Sequence, residues 1–141
     1  MSAFAPGQPL PALKRVVTQD DVRLYATASG DHNPLHLDAA FAATTQFGRP
    51  IAHGMFGLAL MSELMAYTFK QSWHTTGTLK ARFKAPVYVG EEITVRGQVD
   101  RVNNNPDGDL LTCTVTMQNA KMEDVIAATA TIRLPLEKAA Q

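Results

Sequence analysis

Apolar and polar positions change period near the middle of this 141-residue chain. The first half has helical spacing. Thr18, with Asp21 three residues on, predicts an N-cap and an acidic first turn; Val22, Tyr25, Ala26 and Ser29 then share one face as far as Gly30, a predicted stop. Asp38 predicts the cap of a second short helix over residues 39–46. A third is predicted from His53 or Gly54 to about Phe69. Its residues Met55, Phe56, Leu58, Ala59, Leu60, Met61, Leu64, Met65 and Ala66 cover nearly all faces, as in a helix surrounded by protein.

The second half alternates with a period of two. Leu79, Ala81 and Phe83 alternate with Thr78, Lys80, Arg82 and Lys84, which places apolar groups on one face of a strand and charges on the other. Three further strands are predicted on the same grounds, around Ile93, Val95 and Val99, around Leu111, Cys113, Val115 and Met117, and around Ile126, Ala128, Ala130 and Ile132. The turn-rich connections 103–109 and 119–124 are short enough to make consecutive strands antiparallel hairpins. A further N-terminal strand is compatible with residues 13–17. An antiparallel sheet of about five strands with one apolar face, and a helix apolar all round, satisfy each other only if the sheet curls about the helix. The predicted fold is therefore α+β, a single hot-dog domain over residues 1–141.

Composition narrows the partners. With 45% hydrophobic and 18% charged residues the chain is an ordinary globular sequence, and 13 basic against 13 acidic residues leave no net field to attract nucleic acid or an anionic membrane. The single cysteine, Cys113, excludes an intrachain disulfide and a cysteine-based zinc cluster, and no metal is expected. The longest apolar run, from Met55 to Met61, is far short of the ~20 residues that span a bilayer, and residues 1–10 lack the pattern of a secretory leader. A cytoplasmic protein is expected.

Candidate chemistry is concentrated in residues 29–36, Ser-Gly-Asp-His-Asn-Pro-Leu-His. On a continuous helix Asp31 and His36 would lie about 140° apart, at roughly 3.6 residues per turn, and on a strand they would face opposite sides. Only a bend lets them converge. Gly30 permits unusual backbone angles, while Pro34 fixes its own φ and keeps Asn33 out of the helical region, so the pair can grip one small polar molecule such as water. The same residues also suit an ordinary turn, with Asp31 bonded to its own loop amides and His36 purely structural. A second candidate is Gly54. The free amides of the third helix begin there, and a docked carbonyl oxygen that gained negative charge would be stabilised by them; alternatively Gly54 simply allows close packing and His53 bonds a neighbouring carbonyl. Ser62 is a polar group on an otherwise apolar helix. It can line a site or bond back to a helix carbonyl.

Together, Tyr25, Ser29-Gly30-Asp31-x-Asn33-Pro34-Leu35-His36-x-Asp38, Arg49-Pro50-Ile51-Ala52-His53-Gly54-Met55 and Phe83-x-x-Pro86-Val87-x-x-Gly90-Glu91 resemble the MaoC-like (R)-specific enoyl-CoA hydratases and dehydratases. The resemblance runs from about residue 18 to 134. It implies that Asp31 and His36 are the catalytic pair, with Asp31 as base and His36 as acid, that Gly54 supplies the oxyanion amide, and that Ser62 stands near the catalytic water. It further implies syn addition of water to a trans-2-enoyl-CoA to give the (R)-3-hydroxyacyl-CoA, the reverse dehydration, and a homodimer. No cofactor is expected; coenzyme A or a carrier-protein pantetheine arm belongs to the substrate. Asn33, His53, Met61, Ser62 and Met65 are candidates for lining the substrate pocket, the last three because they lie ~10 to 17 Å along the helix from its first turn, at about 1.5 Å per residue. Two other readings suit a hot-dog domain: an acyl-thioesterase, and a noncatalytic acyl-thioester-binding subunit of a heteromeric dehydratase.

Overall fold

A computed structural model describes residues 3–136; the domain expected over residues 1–141 extends beyond these at both ends. Strand β1 (Leu13–Val16) leads into helix α1 (Gln19–Ser29), the short helices α2 (Pro34–Leu37) and α3 (Ala39–Ala42), the long helix α4 (Gly54–Phe69) and α5 (Gln71–Thr76). Strands β2 (Thr78–Phe83), β3 (Glu92–Asn105), β4 (Gly108–Gln118) and β5 (Asp124–Leu134) follow. They form one antiparallel sheet in the order β1-β3-β4-β5-β2, with the hairpin strands at its centre and β1 and β2 at its edges. This is the hot-dog arrangement expected from the sequence.

Alternation decides which face is dry. Ile93, Val95 and Val99 of β3, Leu111, Cys113, Val115 and Met117 of β4, and Ile126, Ala128, Ala130 and Ile132 of β5 are all buried, in one core with Phe56, Leu60, Met61, Leu64, Met65 and Phe69 of α4. The pairing skips Asp100 between Val99 and Arg101, a bulge that adds local twist and bends the long strand. At the next turn, Asn105 pairs with Gly108 across Pro106 and Asp107, so the predicted 103–109 connection is a two-residue hairpin with the strands continuing into it. Burial in this core pushes the Cys113 thiol pKa up to about 12, with the Asp100 carboxylate adding to the effect, so the cysteine is held as an unreactive thiol.

Helix α1 begins and ends as predicted. Thr18 and Asp21 form a reciprocal capping box, and Gly30 closes the helix in the left-handed region at φ 81°. Arg15, 2.8 Å from Asp21, joins the Thr18 amide in holding that carboxyl below its ordinary range. Helix α3 stops four residues short of expectation because the hydroxyls of Thr44 and Thr45 bond back to the carbonyls of Phe41 and Ala42 and compete with helix continuation. Two short helices were not anticipated, α2 and α5. Each is only a turn or two long, too short for a periodic pattern to register.

Full enclosure of α4 does not hold within one chain. Met55 and Tyr67 are 59% and 66% exposed, and Ala59 and Glu63 between them, at intervals of four, complete an uncovered stripe. Five strands line only part of the circumference. Met61 and Met65 lie on the covered side with no exposed surface. Met65→Ala should therefore lower stability by about 2 to 5 kcal/mol, the usual cost of truncating a buried methionine. Urea unfolding measures it, and a loss under 1 kcal/mol would contradict this placement.

Candidate active site

The bend after α1 is built from short-range hydrogen bonds. Gly30 turns the chain, the Asp31 amide donates to Ser29 Oγ, and the Asn33 amide donates to Asp31 Oδ1 at 3.2 Å. Asn33 in turn caps α2, accepting from the Leu35 amide through Oδ1, while Pro34 occupies the first helical position, where no amide is needed. Asn33 thus shapes the loop and is not among the residues lining the cavity described below. This single turn of helix is what carries His36 inward. Gln19 Nε2 donates to the His36 carbonyl and ties the turn to the start of α1.

His36 is buried, and its Nδ1 lies 2.7 Å from the Ile51 carbonyl oxygen. A carbonyl only accepts, so Nδ1 carries the hydrogen, and in the uncharged ring Nε2 presents a lone pair. His53 is fixed in the opposite sense. Its Nε2 donates to the backbone carbonyl of Asp31 at 3.0 Å, and its buried Nδ1 has no partner among the described residues. An unsatisfied buried acceptor costs about 1 to 3 kcal/mol. The two imidazoles stack with centroids 3.8 Å apart and planes at 29°, and Tyr25 packs on the other histidine at 4.9 Å. The bond from His53 to a carbonyl is one of the two roles the sequence allows it; the stack has no signal in the spacing, since residues 36 and 53 come from separate elements.

Three donor groups meet here: one nitrogen of each histidine and a carboxylate oxygen of Asp31 lie within 4.8 Å of one another. Their orientation does not suit a metal ion. Ring nitrogens bind a metal in the ring plane at about 2.0 to 2.1 Å. Each ring has one nitrogen committed to a backbone carbonyl, and an ion shared between rings stacked 3.8 Å apart would not lie in both ring planes. The arrangement suits one water held between the Asp31 carboxylate and His36 Nε2.

Helix α4 supplies the complementary donors. His53 is its N-cap and offers no side-chain cap, in contrast to Thr18 on α1, and the first amide contacts in the helix are from Phe56 and Gly57 to the His53 carbonyl. The Gly54 and Met55 amides are left open at the positive end of the helix dipole. Beside them is a mainly apolar cavity of about 340 Å³, within the range of small-molecule sites. His53, Gly54, Gly57 and Leu60 form its helix wall, Ile93, Met117 and Ile126 its sheet wall, and Phe83, Pro86 and Val87 the far side. Asp31 and His36 do not line it themselves. Each bonds a residue that does, His53 and Ile51 respectively.

The helix side of the expected acyl pocket is corrected by this geometry. Met61 and Met65 belong to the closed core, and Ser62 accepts a hydrogen bond from Trp73 Nε1 at 2.8 Å instead of reaching the cavity or a helix carbonyl. The cavity follows Gly54, Gly57 and Leu60, a face at intervals of three. Small residues there were the available signal. A Cβ on Gly57 would come 2.6 Å from Ile126 Cδ1, and one on Gly54 would come 2.9 Å from Phe83 Cε1, so both glycines let neighbouring side chains reach the helix backbone.

Known proteins share this arrangement of sequence and fold. Residues 2–122 match the MaoC like domain family. The chain is 36% identical over 115 residues to an (R)-specific enoyl-CoA hydratase of Aeromonas caviae, covering 82% of this chain and 84% of that one. It is 30% identical over 128 residues to a 3-hydroxybutyryl-CoA dehydratase of Methylorubrum extorquens, covering 91% and 80% respectively. Among solved structures, the (R)-hydratase of A. caviae involved in PHA biosynthesis is similar with a TM-score of 0.82 at 33% identity, over 96% of this chain and all of that one. An R-hydratase of Pseudomonas aeruginosa is similar with a TM-score of 0.81 at 31% identity, over 98% and 89%. By the extent of these matches, the chain belongs to the MaoC-like family.

Proposed function

We propose that this chain catalyses the (R)-specific hydration of trans-2-enoyl-CoA and the reverse dehydration. The observation that carries the reading is the placement of the Asp31 carboxylate and the His36 imidazole beside an apolar cavity that starts at the open amides of α4. A thioester carbonyl on the Gly54 amide directs its acyl chain along the cavity, and the double bond lies next to the carbonyl, on the side of the dyad. Water oxygen bonds to Cβ, the π electrons move towards the thioester, and the oxygen that gains charge is held by Gly54 N–H. The dyad takes one proton from the water and returns one to Cα, ending with the protons it began with. Asp31 takes the water proton, and His36, carrying a hydrogen on Nε2 in the reactive form, gives one to Cα; transfer of the proton from Asp31 to His36 then restores the coupled pair. Water and proton come from one face, so addition is syn. The reaction balances without a metal or redox cofactor, and coenzyme A or a pantetheine arm enters only as part of the substrate.

The relatives named for hydration and dehydration support this reading. No helix among the described residues is long and apolar enough to cross a membrane; a cytoplasmic setting is part of the proposal. So is a homodimer. The outer edges of β1 and β2 pair with no further strand among the described residues, and Met55 and Phe83, more than half exposed, stand with Tyr67 as apolar surface for a second copy to cover.

Asp31→Asn, which keeps the bond to the Asn33 amide, and His36→Asn, which keeps a donor for the Ile51 carbonyl, should each lower kcat on crotonyl-CoA by at least ~10²-fold with little change in thermal midpoint. Near-full activity in either folded variant would contradict the dyad. A thiol reagent in the same assay separates the rival chemistry, since hydration leaves the thioester intact and a thioesterase releases coenzyme A. Sedimentation equilibrium at micromolar concentration should give twice the 15.3 kDa chain mass, and a single species at 15.3 kDa would refute the dimer.

A further inference from the structure

We infer that His53 is a positioning residue for the dyad, acting through its hydrogen bond to Asp31 and its stack on His36; this rests on the hydratase reading above. His53 stands where three parts of the site meet. Its Nε2–H donates to the carbonyl of Asp31 at 3.0 Å, its ring lies 3.8 Å from that of His36, and the next residue in the chain is Gly54. It is 3% exposed and also in tilted ring contact with Tyr25 at 4.9 Å, so the ring has little freedom. The bond it makes addresses a weakness of the loop. Asp31 is exposed, and its other contacts are to Ser29 and Asn33, its own close neighbours in sequence, which shape the loop without attaching it to the rest of the protein. The His53 bond spans 22 residues and joins the Asp31 backbone to the start of α4. The carboxylate is thereby held at a set distance from the open Gly54 amide, on which the proposed chemistry depends.

The stack does the corresponding work for His36. The Ile51 carbonyl fixes which nitrogen of His36 carries hydrogen but leaves the ring able to swing about that bond; the flat face of His53 blocks the swing. The tautomer of His53 follows from the same geometry. Donation from Nε2 leaves Nδ1 as a bare acceptor, buried and unpartnered among the described residues. A histidine selected only for packing would give way to a residue with no polar atom left unsatisfied, whereas a side chain needed for its donor at one end must keep the idle nitrogen at the other.

Three substitutions test this. His53→Ala removes both contacts and should lower kcat by about 10²-fold while KM stays within about threefold, the pattern of a misplaced catalytic group with binding retained. His53→Gln places an amide N–H where Nε2–H stands and should recover at least about tenfold of the loss, whereas His53→Phe, flat but without a donor, should not. In an Asp31→Asn background, His53→Ala should cost less than about threefold more, because a positioning residue has little left to position. If His53→Ala fails to fold, the Gln and Phe variants decide the question alone. The inference is overturned if folded His53→Ala keeps kcat within threefold of wild type, if the loss falls on KM, if Gln recovers no more than Phe, or if the two losses multiply in the double variant. Failure of the underlying reading is distinguishable from all of these, since then the unaltered protein itself would not hydrate crotonyl-CoA.

Discussion

Helix α4 must be dry along most of its circumference, and the rest of the molecule follows from how that is achieved. Its apolar residues have no use for water, so the sheet is bent over them, with the skipped pairing at Asp100 contributing to the curvature. Burying a helix also determines what its first turn meets. The start of α4 has no side-chain cap, and its amides open beside a cavity and a loop, with Gly54 and Met55 themselves exposed in the single chain. A donor set at the positive end of a helix dipole, screened by apolar walls, is much stronger than the same set at the surface. The hydrophobic arrangement that stabilises the fold therefore also prepares the electrostatics of the site.

The loop from Gly30 to His36 supplies the other half. It is a chain of side-chain caps, Ser29 to Asp31, Asp31 to Asn33 and Asn33 to Leu35, each closing over two residues, so its curvature is specified locally. Its position relative to α4 is not local. That depends on His36 bonding Ile51 and His53 bonding Asp31, two contacts that cross between the loop and the segment leading into the helix. The Asp31 and His36 side chains on one side and the open amides of α4 on the other are thus fixed to the same few residues, 51 to 54.

Much of this was legible in the sequence, for definable reasons. Period-two alternation identifies β2 to β5: in β3, β4 and β5 the apolar face is dry, while in the edge strand β2 Leu79 and Ala81 are half-buried and Phe83 is exposed. The Thr18–Asp21 box and Gly30 bounded α1, and the glycine and proline of the Asp31 loop showed that the dyad lies on a bend. The cavity wall was not legible. A helix as uniformly apolar as α4 carries no pattern to separate the face that meets a cavity from the face that meets the core, so Met61 and Met65 were as plausible as Gly57 and Leu60 until the packing was seen. Ser62 was misread because its partner, Trp73, sits on a short helix with no periodic signature. The uncovered stripe through Met55 and Tyr67 has a different origin, since a single chain contains nothing that reports what a second copy would cover.

The central claim is that one dyad, on one face of the double bond, delivers both the water and the proton. Hydration of crotonyl-CoA in deuterium oxide, with the configuration of the product determined at both carbons, tests it most directly. The account predicts (R)-3-hydroxybutyryl-CoA with deuterium at C2 on the face that received the hydroxyl. An (S) alcohol, or deuterium delivered to the opposite face, would contradict it.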